Sequence, residues 1–325
     1  MKGRTIWAGL ALMAAGLCTA ASARAETITV THWGSAFYGA PYAVAQEKGF
    51  FKKRGLDITG FLTSAGGGTS VRNTLAGDLP FGEVALPAAI LAIQQGQPLK
   101  IIAGGVESVG DILWITQPDS KLSSISDMAG KKIAYTSAGS VTNMIILMCL
   151  QKAGIDQKAL QLVTAGDLGS NLSAVLNRAV DAGMTGEPLW SQNQGKVKAA
   201  FWAKDCTDAA MTQTVGITTT DYAKTGADKL RAIIDARREG VEFIKKNPDE
   251  AADIVAKAYN GDAKLYRDVF RNFNAMGYFG DGRLQYENIN RMLEGMKLVG
   301  RLRAPVDLKE VTDPSFLPKE LQATN

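Results

Sequence analysis

The chain has 325 residues, 46% hydrophobic and 21% charged, with one histidine, three cysteines and a formal net charge of +4. This is long for one core and too apolar for a disordered chain, so two folded units are expected. One histidine with scattered cysteines excludes an ordinary zinc site, and the slight basicity gives no reason to expect nucleic acid.

Lys2 and Arg4 precede an apolar run from Ile6 to Ala20, and Ala23-Arg24-Ala25 places small residues where signal peptidase reads. A positive start, a short apolar middle and that ending predict a cleaved secretory leader over residues 1–25, with the cut between Ala25 and Glu26. Leu17 before Cys18 argues against a lipid-anchored variant, since that signal wants a small residue there. No later stretch is long and apolar enough to span a bilayer. Losing Lys2, Arg4 and Arg24 leaves 33 basic residues against 32 acidic, so the basicity belongs largely to the leader. The expected location is the periplasm. Cys149 and Cys206 would remain in an oxidising compartment. Cys149 lies in the apolar run NMIILMCL, and both a disulfide and buried thiols stay open.

ETITVTHWG alternates as a strand and ends at Gly34; Pro41 then opens a helix that Gly49 stops. DITGFLT (57–63) is a second strand, and Gly66-Gly67-Gly68 lead into a helix closed by Gly77. LPFGEVA, PAAILAIQQ and LKIIAG follow as strand, helix and strand, and the rhythm changes near ILWIT (112–116). A second series then runs KKIAYT, VTNMIILMCLQKAG, LQLVTA, SNLSAVLNRA, DAGMT, EPLWSQN and KVKAAFW. QTVGITTT (213–220) is one more extended segment, after which the pattern is helical to residue 299 and ends in a Pro-rich surface tail. Strand-helix alternation with short connections predicts mainly parallel sheets covered by helices. The expected division is a first lobe of residues 26–117 and 213–325, and a second of 118–212, joined by two crossings.

Ligands of open α/β sheets bind beyond the carboxyl ends of strands, which selects the loops there. Ser64 to Thr69, Ser137 to Thr142 and Asp167 to Asn171 each set glycine and hydroxyl residues at a helix start. Free N–H groups and the positive dipole end favour an anion in such places, although capping alone accounts for the same residues. The triple glycine is the most specific, because three glycines weaken structure unless backbone must come close to something. GGGTS lacks the Lys of a nucleotide loop, GxSxG is missing, and Ser140 has no histidine partner except His32. Catalysis by a metal or a triad is not expected. Glu83, at the end of the third strand, faces either the cleft or the adjoining helix. Glu187 lines the mouth of the second lobe or starts a helix, Met184 and Trp190 divide between pocket and core, and Arg72 points to ligand or solvent.

The run APYAVAQEKGFFKKRGLDI resembles a signature of periplasmic substrate-binding proteins of ABC importers, in the nitrate, sulfonate, taurine and thiamine-precursor branch. LAGDLPFGEVALPAAILAIQQGQPLKIIAG, SISDMAGKKIAYTSAGS and LNRAVDAGMTGEPLW resemble that family's later segments, in order, from about Ile28 to Thr220. The resemblance implies a hinge-closing binding protein of type II architecture that delivers a small molecule to a membrane permease with a cytoplasmic ATPase. It is expected to be monomeric and to need no cofactor. By the same resemblance the ligand contacts fall on Trp33, Gly34, Phe37 and Tyr38, and on Ala65, Gly66, Gly67, Gly68 and Thr69. They continue around Gly82 and Glu83, through Gly139, Ser140, Val141 and Thr142, and near Glu187; His32 is a ligand donor or a structural one. Trp33, Phe37 and Tyr38 suggest a flat or apolar ligand body and the helix starts an anionic head, so an organic acid fits both. A sensory role, or a lyase or synthase on the same fold, is the alternative, and only His32 or Glu83 could serve it as acid or base.

Overall fold

The computed structural model describes residues 26–64 and 66–322. The expected leader, its cleavage site at Ala25 and the ligand contact at Ala65 lie outside the described residues. The first lobe begins with β1 (Glu26–Val30), α1 (Ala40–Glu47), β2 (Ile58–Leu62), α2 (Gly67–Ala76), β3 (Phe81–Ala85), α3 (Leu86–Gln94) and β4 (Leu99–Gly104). The second contains β5 (Leu113–Thr116), β6 (Lys132–Tyr135), α4 (Val141–Lys152), β7 (Gln161–Thr164), α5 (Leu168–Leu176), β8 (Ala182–Thr185), α6 (Leu189–Asn193) and β9 (Lys198–Trp202). The chain then enters β10 (Thr214–Thr219), α7 (Thr220–Thr225), α8 (Ala227–Lys246), α9 (Pro248–Tyr259), α10 (Ala263–Ala275), α11 (Tyr286–Leu298) and α12 (Leu308–Val311).

Two five-stranded sheets result, ordered β2-β1-β3-β10-β4 and β7-β6-β8-β5-β9. Each has a parallel set and one antiparallel strand: β10 pairs antiparallel with β3 and β4, and β5 with β8 and β9. Those two strands are the ones the chain uses to enter and leave the second lobe, which is why they run against their neighbours. Residues 113–116, assigned to the first lobe because the rhythm breaks near them, therefore belong to the second sheet. The break marks entry into an antiparallel strand, not the end of the lobe.

The crossings run side by side at residues 105–112 and 203–213. Val109 N–H donates to Ala209 O at 2.9 Å, and Gln213 N–H to Val106 O at 2.7 Å. The Cys149–Cys206 disulfide ties α4 to the second crossing, closing the open question of their state. Helix α8 turns Leu230, Ile233, Ile234, Val241 and Ile244 inward, an apolar stripe at helical spacing, and packs on α1. Helix α11 touches α3 of one lobe and α4 of the other; Gly295 lies directly against the Met148 side chain. The tail is not merely superficial: Thr312 bridges Ile101, and Phe316, Leu317 and Leu321 are buried.

Candidate functional site

The carboxyl ends of β1, β3, β6 and β8 meet where the lobes face each other. Past β1 the chain turns sharply, with His32 in the left-handed region at φ 56° and its carbonyl accepting from Ser35 and Ala36 N–H at 3.0 Å. This buries the imidazole, and burial drives its pKa down to about 4 against the opposing field of Asp167, so the ring is neutral at pH 7. Among the described residues its Nδ1 has no hydrogen-bond partner. Thr31 and Ser64 hydroxyls both bond to Ser70 in the first turn of α2, fixing that helix start beside the imidazole.

Across the gap, Ser140 caps α4 by accepting from Asn143 N–H at 3.1 Å, and Thr142 Oγ1 accepts from Thr136 N–H at 3.2 Å. Asp167 caps α5 through Ser170 N–H at 2.7 Å. The cavity between is about 20 Å³, room for about one water. From the first lobe it is lined by Thr31, His32, Tyr38, Gly67, Ala85 and Thr214. From the second come Thr136, Ser140, Val141, Thr142, Leu168 and Met184. No Lys or Arg lines it among the described residues, so the groups there that favour an anion are the starts of α2 and α4, whose first N–H groups have no intrahelical partner, against the opposing field of Asp167. At the rim a Cβ on Gly66 would overlap Ser137 Oγ and sit 2.8 Å from its Cβ, and one on Gly139 would lie 3.0 Å from Leu91 Cδ1. The lobes are in contact there, and Ser137 Oγ also has no hydrogen-bond partner among the described residues.

Of the expected residues, His32, Tyr38, Gly67, Ser140, Val141 and Thr142 come together on this cavity, with Gly66 and Gly139 at its rim. Others lie elsewhere. Trp33 stacks on Phe61 at 3.9 Å and meets Tyr259 edge-on, and Phe37 is fully buried among Tyr259, Tyr266, Phe270 and Phe273. The proposed aromatic wall is therefore core packing, because α9 and α10 bring rings that draw Trp33 and Phe37 inward. Gly34 and Thr69 are exposed, Thr69 accepting from Arg72 at 2.9 Å, while Gly68, Arg72 and Gly139 line a second interlobe groove, between α2, α3 and the Ala138–Gly139 turn. Glu83 does not face the cleft: it is buried in an ion pair with Arg237, Oε2 to Nε 2.6 Å, and accepts from Thr214 at 2.7 Å. Gly82 is closed off by the Thr74 side chain.

Glu187, followed by a cis bond to Pro188, lies on a different cavity of about 390 Å³ with Asp111, Trp202, Phe273 and Met276. It accepts from Ser191 Oγ at 2.8 Å, and burial raises its pKa. Thr31, Ala85, Thr136, Leu168 and Thr214 were missed as lining residues. Arg237 was missed too, although its place on the apolar stripe of α8, four residues after Ile233 and before Val241, was a legible sign of a buried partner.

The sequence profile described as NMT1/THI5-like matches residues 36–251. A binding protein of Brucella abortus (strain 2308) is 27% identical over 290 residues, covering 86% of each chain. The riboflavin-binding protein RibY of Chloroflexus aurantiacus is 24% identical, covering 86% of this chain and 82% of its own. Among solved structures, the periplasmic aliphatic sulphonate binding protein SsuA of Escherichia coli aligns with a TM-score of 0.70 at 15% identity, over 88% of this chain and 96% of its own. The nitrate-binding protein NrtA of Synechocystis PCC 6803 aligns at 0.73 and 17%, over 91% and 87%.

Proposed function

Since this chain belongs to the NMT1/THI5-like family and is a solute-binding protein of the ABC-import type, we propose that its interlobe cleft captures a small organic anion and hands it to a membrane permease. One observation carries this reading: helix starts from both lobes converge on a single cavity that also holds the buried Nδ1 of His32, unpartnered among the described residues. The charged head is placed at the first turns of α2 and α4, where N–H groups and dipoles act together. Leu168 and Met184 take the apolar part of the ligand. The aromatic portion of the expected ligand loses its support, because Trp33 and Phe37 are committed to the core.

At about 20 Å³ the cavity holds no organic anion in this fully shut form, so the hinge must open to admit one and close around it less tightly than here; the twelve lining residues divide six and six between the lobes. Binding free energy is thus realised fully on closure, which shifts the population toward the shut form. The permease and its ATPase then read occupancy as shape. The protein acts as a monomer in the periplasm after its leader is removed. It binds rather than turns over its solute, in keeping with relatives that are binding proteins. Native mass spectrometry of the purified protein is expected to reveal a retained small anion, and adding that compound back to stripped protein should contract its X-ray scattering profile. A profile unchanged at saturation sinks the reading.

A further inference from the structure

Tyr38 lines the cleft, yet its proton is already committed behind it. The hydroxyl donates to Gln213 Oε1 at 2.7 Å. Gln213 is fully buried and cannot turn its amide round. Its Nε2 donates to the Ser108 carbonyl, which only accepts, and to Asp111 Oδ1 at 2.8 Å. Reversing the amide would set its oxygen against the Ser108 carbonyl, which has no proton to give. Its backbone is pinned as well, N–H to Val106 O at 2.7 Å and carbonyl to Leu86 N–H at 2.9 Å. Asp111 completes the chain by accepting from Tyr278 Oη at 3.0 Å. The donors along Tyr38–Gln213–Asp111 point away from the cleft and end on the Asp111 carboxyl group.

Swinging the Tyr38 proton into the cavity would leave the Gln213 oxygen buried without a donor, which is unfavourable. Burial, with Asp111 and Glu83 nearby, also pushes the phenol's pKa up, so the proton stays on it. What Tyr38 offers the cleft is lone pairs.

We infer that Tyr38 is a specificity residue that accepts from the ligand, so the preferred solute is an organic anion carrying a hydroxyl or amino donor beside its charged head. This rests on the cleft being the ligand site. A solute with only acceptors would meet the phenol oxygen as a repulsive neighbour, and one with nothing there would leave it unpaired. Discrimination arises from an unpaired buried group rather than from lost apolar contact, which makes it the larger kind.

Two measurements test it. In a neutron structure of the deuterium-exchanged protein, the Tyr38 deuteron is expected on the line to Gln213 Oε1; a deuteron directed into the cavity overturns the inference. By calorimetry, 2-hydroxyethanesulfonate is expected to bind at least about tenfold tighter than ethanesulfonate, which shares its head and carbon skeleton. Tyr38→Phe should collapse that ratio toward one. Equal affinities in the unaltered protein overturn the inference. If neither sulfonate binds, the anionic-head reading of the cleft fails instead, and the position of the deuteron still decides the role of Tyr38.

Discussion

Gly66 is extended, at φ 176°, a conformation any residue adopts, so the demand for glycine comes from the other lobe. A methyl group there would overlap Ser137 only when the lobes are shut. Gly66→Ala should therefore leave the denaturation midpoint within about 0.5 kcal/mol of the original while lowering ligand retention in native mass spectra. A loss of stability without loss of retention would remove Gly66 from the closure contact. Glu83 and Arg237 make the opposite case, since their pairing is internal to one lobe. Arg237→Met strands a buried carboxylate and is expected to cost about 3–5 kcal/mol in urea unfolding, with much of it recovered when Glu83→Leu is added. At this scale sequence reading reached the backbone better than the side chains. Glycine and hydroxyl spacing located the loops after β2, β6 and β7, because strand ends and helix starts leave local marks. Whether Trp33 or Phe37 turned outward depended on rings more than 200 residues away, at Tyr259 and Phe270, and no local pattern records that.

The first crossing carries both Glu107 and Asp111, and burial raises both carboxyls to about 7. Glu107 accepts from Thr212 at 2.6 Å and has Arg237 and Asp281 in its field; Asp111 has Tyr278, Gln213 and Glu187. Because the folded values lie above the ordinary ones, the folded state holds more protons than the unfolded. Their contribution to stability is full below pH of about 4 and is lost as pH rises through 7. His32 acts in reverse between its folded value of about 4 and 6.5, so the net decline is on the order of 4 kcal/mol and is steepest near neutrality. Unfolding measured from pH 5 to 8 should show it, and Glu107→Gln should flatten it; a curve rising across that range would contradict the assignment. The disulfide anchors the second crossing from the side. Cys149→Ser with Cys206→Ser opens a link spanning 57 residues and is expected to cost about 2–4 kcal/mol in thermal unfolding. The elements themselves were largely legible, down to the helix from Val141, since Gly, Pro and hydroxyl punctuation is local. The sheet to which residues 113–116 belong was not, because partner choice for an antiparallel strand is made by β8 and β9, far along the chain.

As a whole the molecule is two sheets facing across a shut cleft, with α11 lying over both α3 and α4. Opening must therefore shift α11 against at least one of them, and the close Gly295–Met148 contact is where such sliding would register. The order of strands has a further consequence. In the first sheet β10 lies between β3 and β4, so those two have no ladder to each other until a strand made over a hundred residues later arrives. The second sheet draws all its strands from residues 113–202, an unbroken stretch. On a chain emerging amino end first, the inner lobe can complete itself while the outer one still waits with its sheet divided. The lobe that begins the protein is the last to finish folding.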